Sequence, residues 1–254
     1  HGVLPFAEYM QQRLPLGYYL VFVLQLMEIV GTIIFAAGYC VSALSLVFSI
    51  IYSCSIYFYH SQFGWFQSGG SENGAEYAFA LIVCFFACAL AFWPNTSLSS
   101  SMKWRDCWRP ILGKASLSVG AQQFAWRCLA YLLAFLVLTH VGARIVVGNV
   151  QAMLAAMPTF TPFPQTLALL ATAVQAVSCV AICTKRHQIL AFLSLGMLFA
   201  GAIVFHHLPL GWIVSGADKD GAEYSFLLMS LALILATHQF LIRRMTSNAV
   251  QLSA

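Results

Sequence analysis

Seven long apolar runs, broken by short polar stretches, dominate the chain: Gly17–Gly38, Val41–Tyr59, Tyr77–Trp93, Phe124–Val147, Thr166–Cys183, Ile189–His206 and Tyr224–Ile242. Each is near the ~20 residues that a helix needs to cross the hydrocarbon core of a bilayer. Between Arg13 and Glu72 the only charged residue is Glu28. The pattern predicts an all-α integral membrane protein with seven transmembrane helices.

The polar stretches sort by charge. One set carries Lys103, Arg105, Arg109 and Lys114, then Lys185 and Arg186, then Arg243 and Arg244. The alternate set carries Glu8, Glu72, Glu76, Asp218, Asp220 and Glu223, with only Arg13, Arg144 and Lys219 as cations. Cytoplasmic loops are enriched in Lys and Arg. The expected topology therefore has the His1 end extracytoplasmic and Ala254 cytoplasmic, in a bacterial-type inner membrane.

A block in the first half recurs near the end. His60-Ser-Gln-Phe-Gly64-Trp65 runs on to Gly74-Ala75-Glu76-Tyr77. His207-Leu-Pro-Leu-Gly211-Trp212 runs on to Gly221-Ala222-Glu223-Tyr224. The offset is 147 residues without a gap, and 11 of the 22 positions from His60 to Leu81 are identical. A repeat of this length indicates a tandem duplication. The second copy has four apolar runs and the first has three. The offset places the counterpart of Phe124–Val147 just upstream of His1, so one further helix is expected there. Four plus four spans would make the repeats parallel rather than inverted, unlike the inverted halves of many transporters. The expected units are residues 1–93, with three helices, and 123–254, with four. A cytoplasmic linker, 94–122, joins them, and its Trp104, Arg105, Trp108 and Arg109 suit the headgroup level.

Composition agrees with this picture and narrows the partners. The chain is 61% hydrophobic and 8% charged, against roughly 25% charged in a soluble domain. Membrane lipids are the first expected partner. A net charge of +4 without a Lys/Arg tract gives no case for nucleic acid. Six of the eight cysteines sit inside apolar runs, and Cys84/Cys88 and Cys179/Cys183 have i,i+4 spacing. They read as small packing residues, although a redox reading stays open.

The order of these features resembles the DoxX-like membrane family, a four-helix unit. The matching residues are Arg127 opening a first helix, Met27-Glu28-Ile-Val-Gly31 in a second, and the Gly-Ala-Glu-Tyr openings at Gly74 and Gly221 of the fourth helices. The resemblance covers nearly the whole chain as two copies. It departs at Gln175, which aligns with Glu28. It implies a redox neighbourhood, since members are associated with membrane quinone-linked systems and oxidant defence, and it implies no specific reaction.

Two places could carry chemistry. Glu28 lies near the middle of its span, and a carboxylate in lipid is costly enough that it usually faces a bundle interior or cavity. It is a candidate catalytic residue, as a proton acceptor, or a hydrogen-bonded packing residue; the amide at Gln175 fits the second role. The other place is the outer face. His60, Trp65, Glu76 and Tyr77 from one copy, and His207, Trp212, Glu223 and Tyr224 from the other, are expected at one depth, with His140 nearby. These types can frame a quinone head or a partner. Equally, Trp and Tyr belong at the interface, and the glutamates suit the first turn of a helix. Metal ligation is not expected. Arg144 is expected to snorkel outward or to pair with Glu76 or Glu223.

No phosphate-cradling loop, Cys-x-x-Cys or His-Glu-x-x-His is present, and no His pairs have bis-haem spacing. Nothing points to a covalently bound cofactor; a quinone and lipids are the expected ligands. The expectation is an accessory or anchoring subunit of a membrane redox complex, with other membrane subunits as partners. A quinone-reactive component and a small-solute transporter are the alternatives.

Overall fold

A computed structural model of the chain describes residues 3–66, 74–92, 119–146, 163–207, 212 and 222–253. Among the described residues the regular structure is helical: α1 (Val3–Gln11), α2 (Gly17–Ala36), α3 (Val41–Phe58), α4 (Glu76–Ala91), α5 (Val119–Val146), α6 (Pro164–Cys183), α7 (Gln188–Ala202) and α8 (Glu223–Ser253). A 3-10 turn (His60–Phe63) follows α3, and a π-helical turn (Ile203–His207) extends α7. The charged loops 93–118 and 213–221 and most of the expected linker lie outside the described residues.

Among the described residues six helices are long and apolar enough to cross a membrane, so the chain is a multi-pass membrane protein. The expected seventh, α4, is apolar but has 16 residues. At 1.5 Å per residue it reaches ~24 Å, short of the ~30 Å core. Two helices outrun their apolar segments. α5 begins at Val119 and α8 continues to Ser253. Hydropathy reads the part of a helix that suits lipid, and polar residues such as Gln122, Gln123 and the exposed Arg243 and Arg244 continue the same helix beyond it.

The duplication is visible in the backbone well beyond the identical block. α2 and α6 begin and end at positions 147 apart, and so do the starts of α3 and α7 and of α4 and α8. The turn from α2 to α3 is Ala37-Gly38-Tyr39-Cys40, and that from α6 to α7 is Thr184-Lys185-Arg186-His187; they share no residue. Their backbones match. Gly38 (φ 80°) and Cys40 (φ 53°) are left-handed, as are Lys185 (φ 58°) and His187 (φ 52°). The N–H groups of residues 37, 38 and 39 donate to the carbonyls of Ile33, Phe35 and Ile34. Those of 184, 185 and 186 donate to Val180, Ile182 and Ala181, the same bonds moved by 147. These bonds satisfy helix-end carbonyls that would otherwise lack partners.

The chain forms two compact units. One is His1–Phe63 with Tyr77–Cys128, and the other is Gly64–Glu76 with Leu129–Ala254. The segment Gly64–Glu76, part of the first copy in sequence, belongs to the second unit in space. In the first unit, α1 packs on α2 through Ala7, Met10 and Val21, with Tyr9, Tyr18 and Phe58 around them. Tyr9 Oη donates to the Phe58 carbonyl (3.3 Å). Phe35, Phe48 and Phe85 interlock with centroids 5.0–6.5 Å apart, and Ser42 Oγ donates to the Phe92 carbonyl at 2.7 Å. In the second unit Leu133, Leu136 and Val137 of α5, Cys179 and Ile182 of α6, Phe192 and Leu195 of α7, and Leu235 of α8 are fully buried. All seven described cysteines are free thiols. The Cys179 thiol packs against the Ala134 carbonyl at 3.5 Å, the role expected of a small packing residue.

Gly31 lets α2 approach α3, since a Cβ there would lie 2.8 Å from Cζ of Phe48. The ring cannot yield easily because Phe35 and Phe85 hold it. Gly31→Leu should therefore destabilise the first unit by about 1–3 kcal/mol, the usual cost of overpacking. Gly201→Leu, with open space around its Cβ, should be neutral. Thermal unfolding of the two variants in detergent checks this; equal melting temperatures would refute the packing account.

Candidate functional site

Glu76 is the first residue of α4 and has no solvent exposure. A carboxylate buried in a membrane protein needs polar partners to offset lost hydration. Its Oε1 lies 2.7 Å from Nε2 of His140, on α5. At that distance one proton is shared between oxygen and nitrogen, either as imidazole N–H to carboxylate or as carboxylic O–H to imidazole. Tyr224, the second residue of α8, is buried and sets its phenol against the same carboxylate. His140 keeps 20% of its side chain accessible. Its ring centroid lies 5.6 Å from that of Phe66 and 6.5 Å from that of Tyr224. All four residues belong to the second unit.

The repeated block supplies the seat. Ala75 N–H donates to the Gly64 carbonyl (3.0 Å) and Glu76 N–H to the Trp65 carbonyl (2.9 Å). These bonds staple the loop to the opening turn of α4. A Cβ on Gly74 would lie 2.1 Å from the Phe66 carbonyl oxygen, so only glycine permits this closure. The second copy makes the same bond, from Glu223 N–H to the Trp212 carbonyl (3.1 Å). The identities in the block are thus explained first by a shared loop-to-helix staple. Its side chains have diverged. Glu76 is buried while Glu223 is half-buried, and Tyr224 is buried while Tyr77 is half-buried. The cluster takes its acid from one copy and its phenol from the other.

A second polar contact lies one turn along α5. Arg144 follows His140 by four residues, the spacing that puts two side chains on one helix face. Its Nη1 donates to Oε1 of Gln175 (2.6 Å) and to Oγ1 of Thr172 (3.4 Å), both on α6. Arg144 does not make the pairing with Glu76 or Glu223 that the sequence allowed. It turns inward to a neutral amide, because Glu76 is engaged by His140 and Gln175 is buried on the facing stripe of α6.

The remaining expected residues fall as follows. Trp65 meets Phe135 edge-on (5.9 Å) in the second unit. His207 is buried there, in the π-helical turn, and Trp212 is half-exposed and packs on Phe226 at 5.3 Å. His60, buried beside Tyr59 (5.1 Å), and Tyr77 belong to the first unit. Glu28 is half-buried on α2, with Gln25 Nε2 3.5 Å away. Among the described residues no three His, Cys, Asp or Glu side chains gather as a metal-holding group. Phe66, Thr172 and the Arg144–Gln175 bond were not singled out by the sequence. The alignment of Gln175 with Glu28 was the one sign of that bond.

Comparison of the chain with protein-family models, with curated proteins and with solved structures returns no match.

Replacing His140 by Phe should leave the buried Glu76 without its closest partner and destabilise the protein by about 1–3 kcal/mol, the cost of an unsatisfied buried polar group. His140→Gln, whose amide can donate to the carboxylate, should recover part of that loss; an unchanged melting temperature in His140→Phe would show the pair to be energetically idle. Gly74→Ala should open the staple without touching the cluster's side chains. Faster hydrogen exchange at the Ala75 and Glu76 amides is the expected readout, and unaltered protection would refute the close-approach argument.

Proposed function

We propose that this chain is a membrane subunit of a quinone-linked redox assembly, and that the quinone head group docks at Glu76, His140 and Tyr224. The observation that carries the reading is the 2.7 Å pair of buried Glu76 with His140, partly accessible at the imidazole and with the rings of Phe66 and Tyr224 nearby. Quinones are lipid-soluble, with an apolar ring edged by carbonyls. Sites for such ligands combine aromatic walls with a few placed polar groups. An imidazole N–H can donate to a quinone carbonyl, and a carboxylate beside it can hold the proton that a quinol gives up. Oxidation of a quinol releases two protons and two electrons. The His140–Glu76 pair accepts one proton in this scheme, water at the extracytoplasmic face the other. The electrons pass to a redox centre of the haem, flavin or iron–sulfur class in a partner subunit.

The resemblance to DoxX-like proteins, and the Gly-Ala-Glu-Tyr openings that carry it, support the same neighbourhood. In this reading the protein sits in a bacterial-type inner membrane with α4 as a further, short membrane element. The exposed Lys185 and Arg186, with Arg243 and Arg244 on α8, mark its cytoplasmic side.

Purification of the native particle in mild detergent, followed by chromatography of its organic extract, tests the proposal. Quinone should accompany the wild-type protein, and His140→Phe and Glu76→Leu should retain at least tenfold less. Glu28→Gln should retain it in full. Retention in the first two variants with loss in the third would move the site to α2, and a particle devoid of quinone would overturn the reading.

A further inference from the structure

The duplication allows the first unit to be read against the second, position by position. In the second unit α5 covers one face of α6. Cys179 is fully buried with its sulfur on the Ala134 carbonyl, and Gln175 is buried with its amide oxygen on Arg144. Subtracting the offset gives Thr32 for Cys179 and Glu28 for Gln175. Thr32 is exposed and Glu28 half-buried. Of the residues in the apolar window of α2, 11% are buried, against 28% for α6. The face of α2 that carries Glu28 and Thr32 is the one that α5 covers in the other copy.

Lipid alone is a poor cover for this face. Glu28 has a 3.5 Å contact to a neutral amide, and an ionisable side chain at that depth ordinarily turns to a protein partner. The counterpart bond indicates which one. Arg144 donates to a glutamine oxygen at 2.6 Å; with a carboxylate in place of the amide, the same geometry is a charge-assisted ion pair.

We infer that the Glu28–Thr32 face of α2 receives a transmembrane helix of the α5 type that bears an arginine or lysine opposite Glu28, and that this helix is the segment which the repeat places directly ahead of His1. The offset puts the counterpart of Val119–Val146 in that position. It puts the cation thirty-one residues ahead of Glu28, the separation between Arg144 and Gln175. This inference is independent of the quinone site.

Intact mass and N-terminal peptide sequencing of the protein from its native membrane make the first test. The expected result is an apolar segment ahead of His1 with Lys or Arg at the stated distance. A native chain that begins at His1, or an upstream segment lacking that cation, would overturn the inference; α2 would then be covered by a second copy, a separate subunit or lipid, which native mass distinguishes. In the full chain, Glu28→Arg should abolish the monodisperse folded species, and replacing the upstream cation by Glu in the same chain should restore it. Failure of that reversal, with no disulfide between Thr32→Cys and a cysteine on the upstream helix, would also overturn it.

Discussion

A carboxylate that water cannot reach has to find its polar partners in the protein, and the second unit sets an imidazole at hydrogen-bonding distance from one oxygen of Glu76. The loop is stapled so that α4 begins at this residue, α5 presents His140 at hydrogen-bonding distance, and α8 opens with Tyr224 beside it. Each partner comes from a different element. A shift of any of these helices along its axis would break a contact that has no solvent to replace it. In an apolar bundle, where van der Waals packing tolerates sliding, such a pair fixes register.

The two copies show how duplication was put to use. The backbone staple between Trp and Glu persists in both, whereas the side chains have parted company. One copy buries its glutamate and the other its tyrosine, and a single cluster draws on both. Glu28 and Gln175 tell a similar story. The two positions are equivalent on equivalent helices, but one retains an ionisable group and the other an amide tied to Arg144. The scaffold is held in common and the electrostatics are specialised.

The membrane helices were legible in the sequence because lipid acts on every residue of a span, so hydropathy sums a signal along the whole segment. Helix ends were less so. α1, nine residues of mixed character, and the polar tail of α8 carry little of that signal. The Glu76–His140 pair lies 64 residues apart in sequence, and nothing local announces it. What the repeat did announce was the staple, since its identities concentrate where the backbone approaches most closely, around Gly64, Trp65, Gly74 and Glu76. The partner of Arg144 was missed because opposite charge was taken as the guide, while the geometry favoured a buried amide on the facing helix.

The matching turns of the two helical hairpins have a consequence for insertion. Their backbones are alike, yet Ala37-Gly38-Tyr39-Cys40 is uncharged and Thr184-Lys185-Arg186-His187 carries two cations. A hairpin whose tip is cationic is held back on the side from which it is delivered; one with a neutral tip has no such latch. The same fold of the chain therefore accommodates a neutral tip and a doubly cationic one, so that positive-inside sorting, where it acts, acts on the two hairpins unequally.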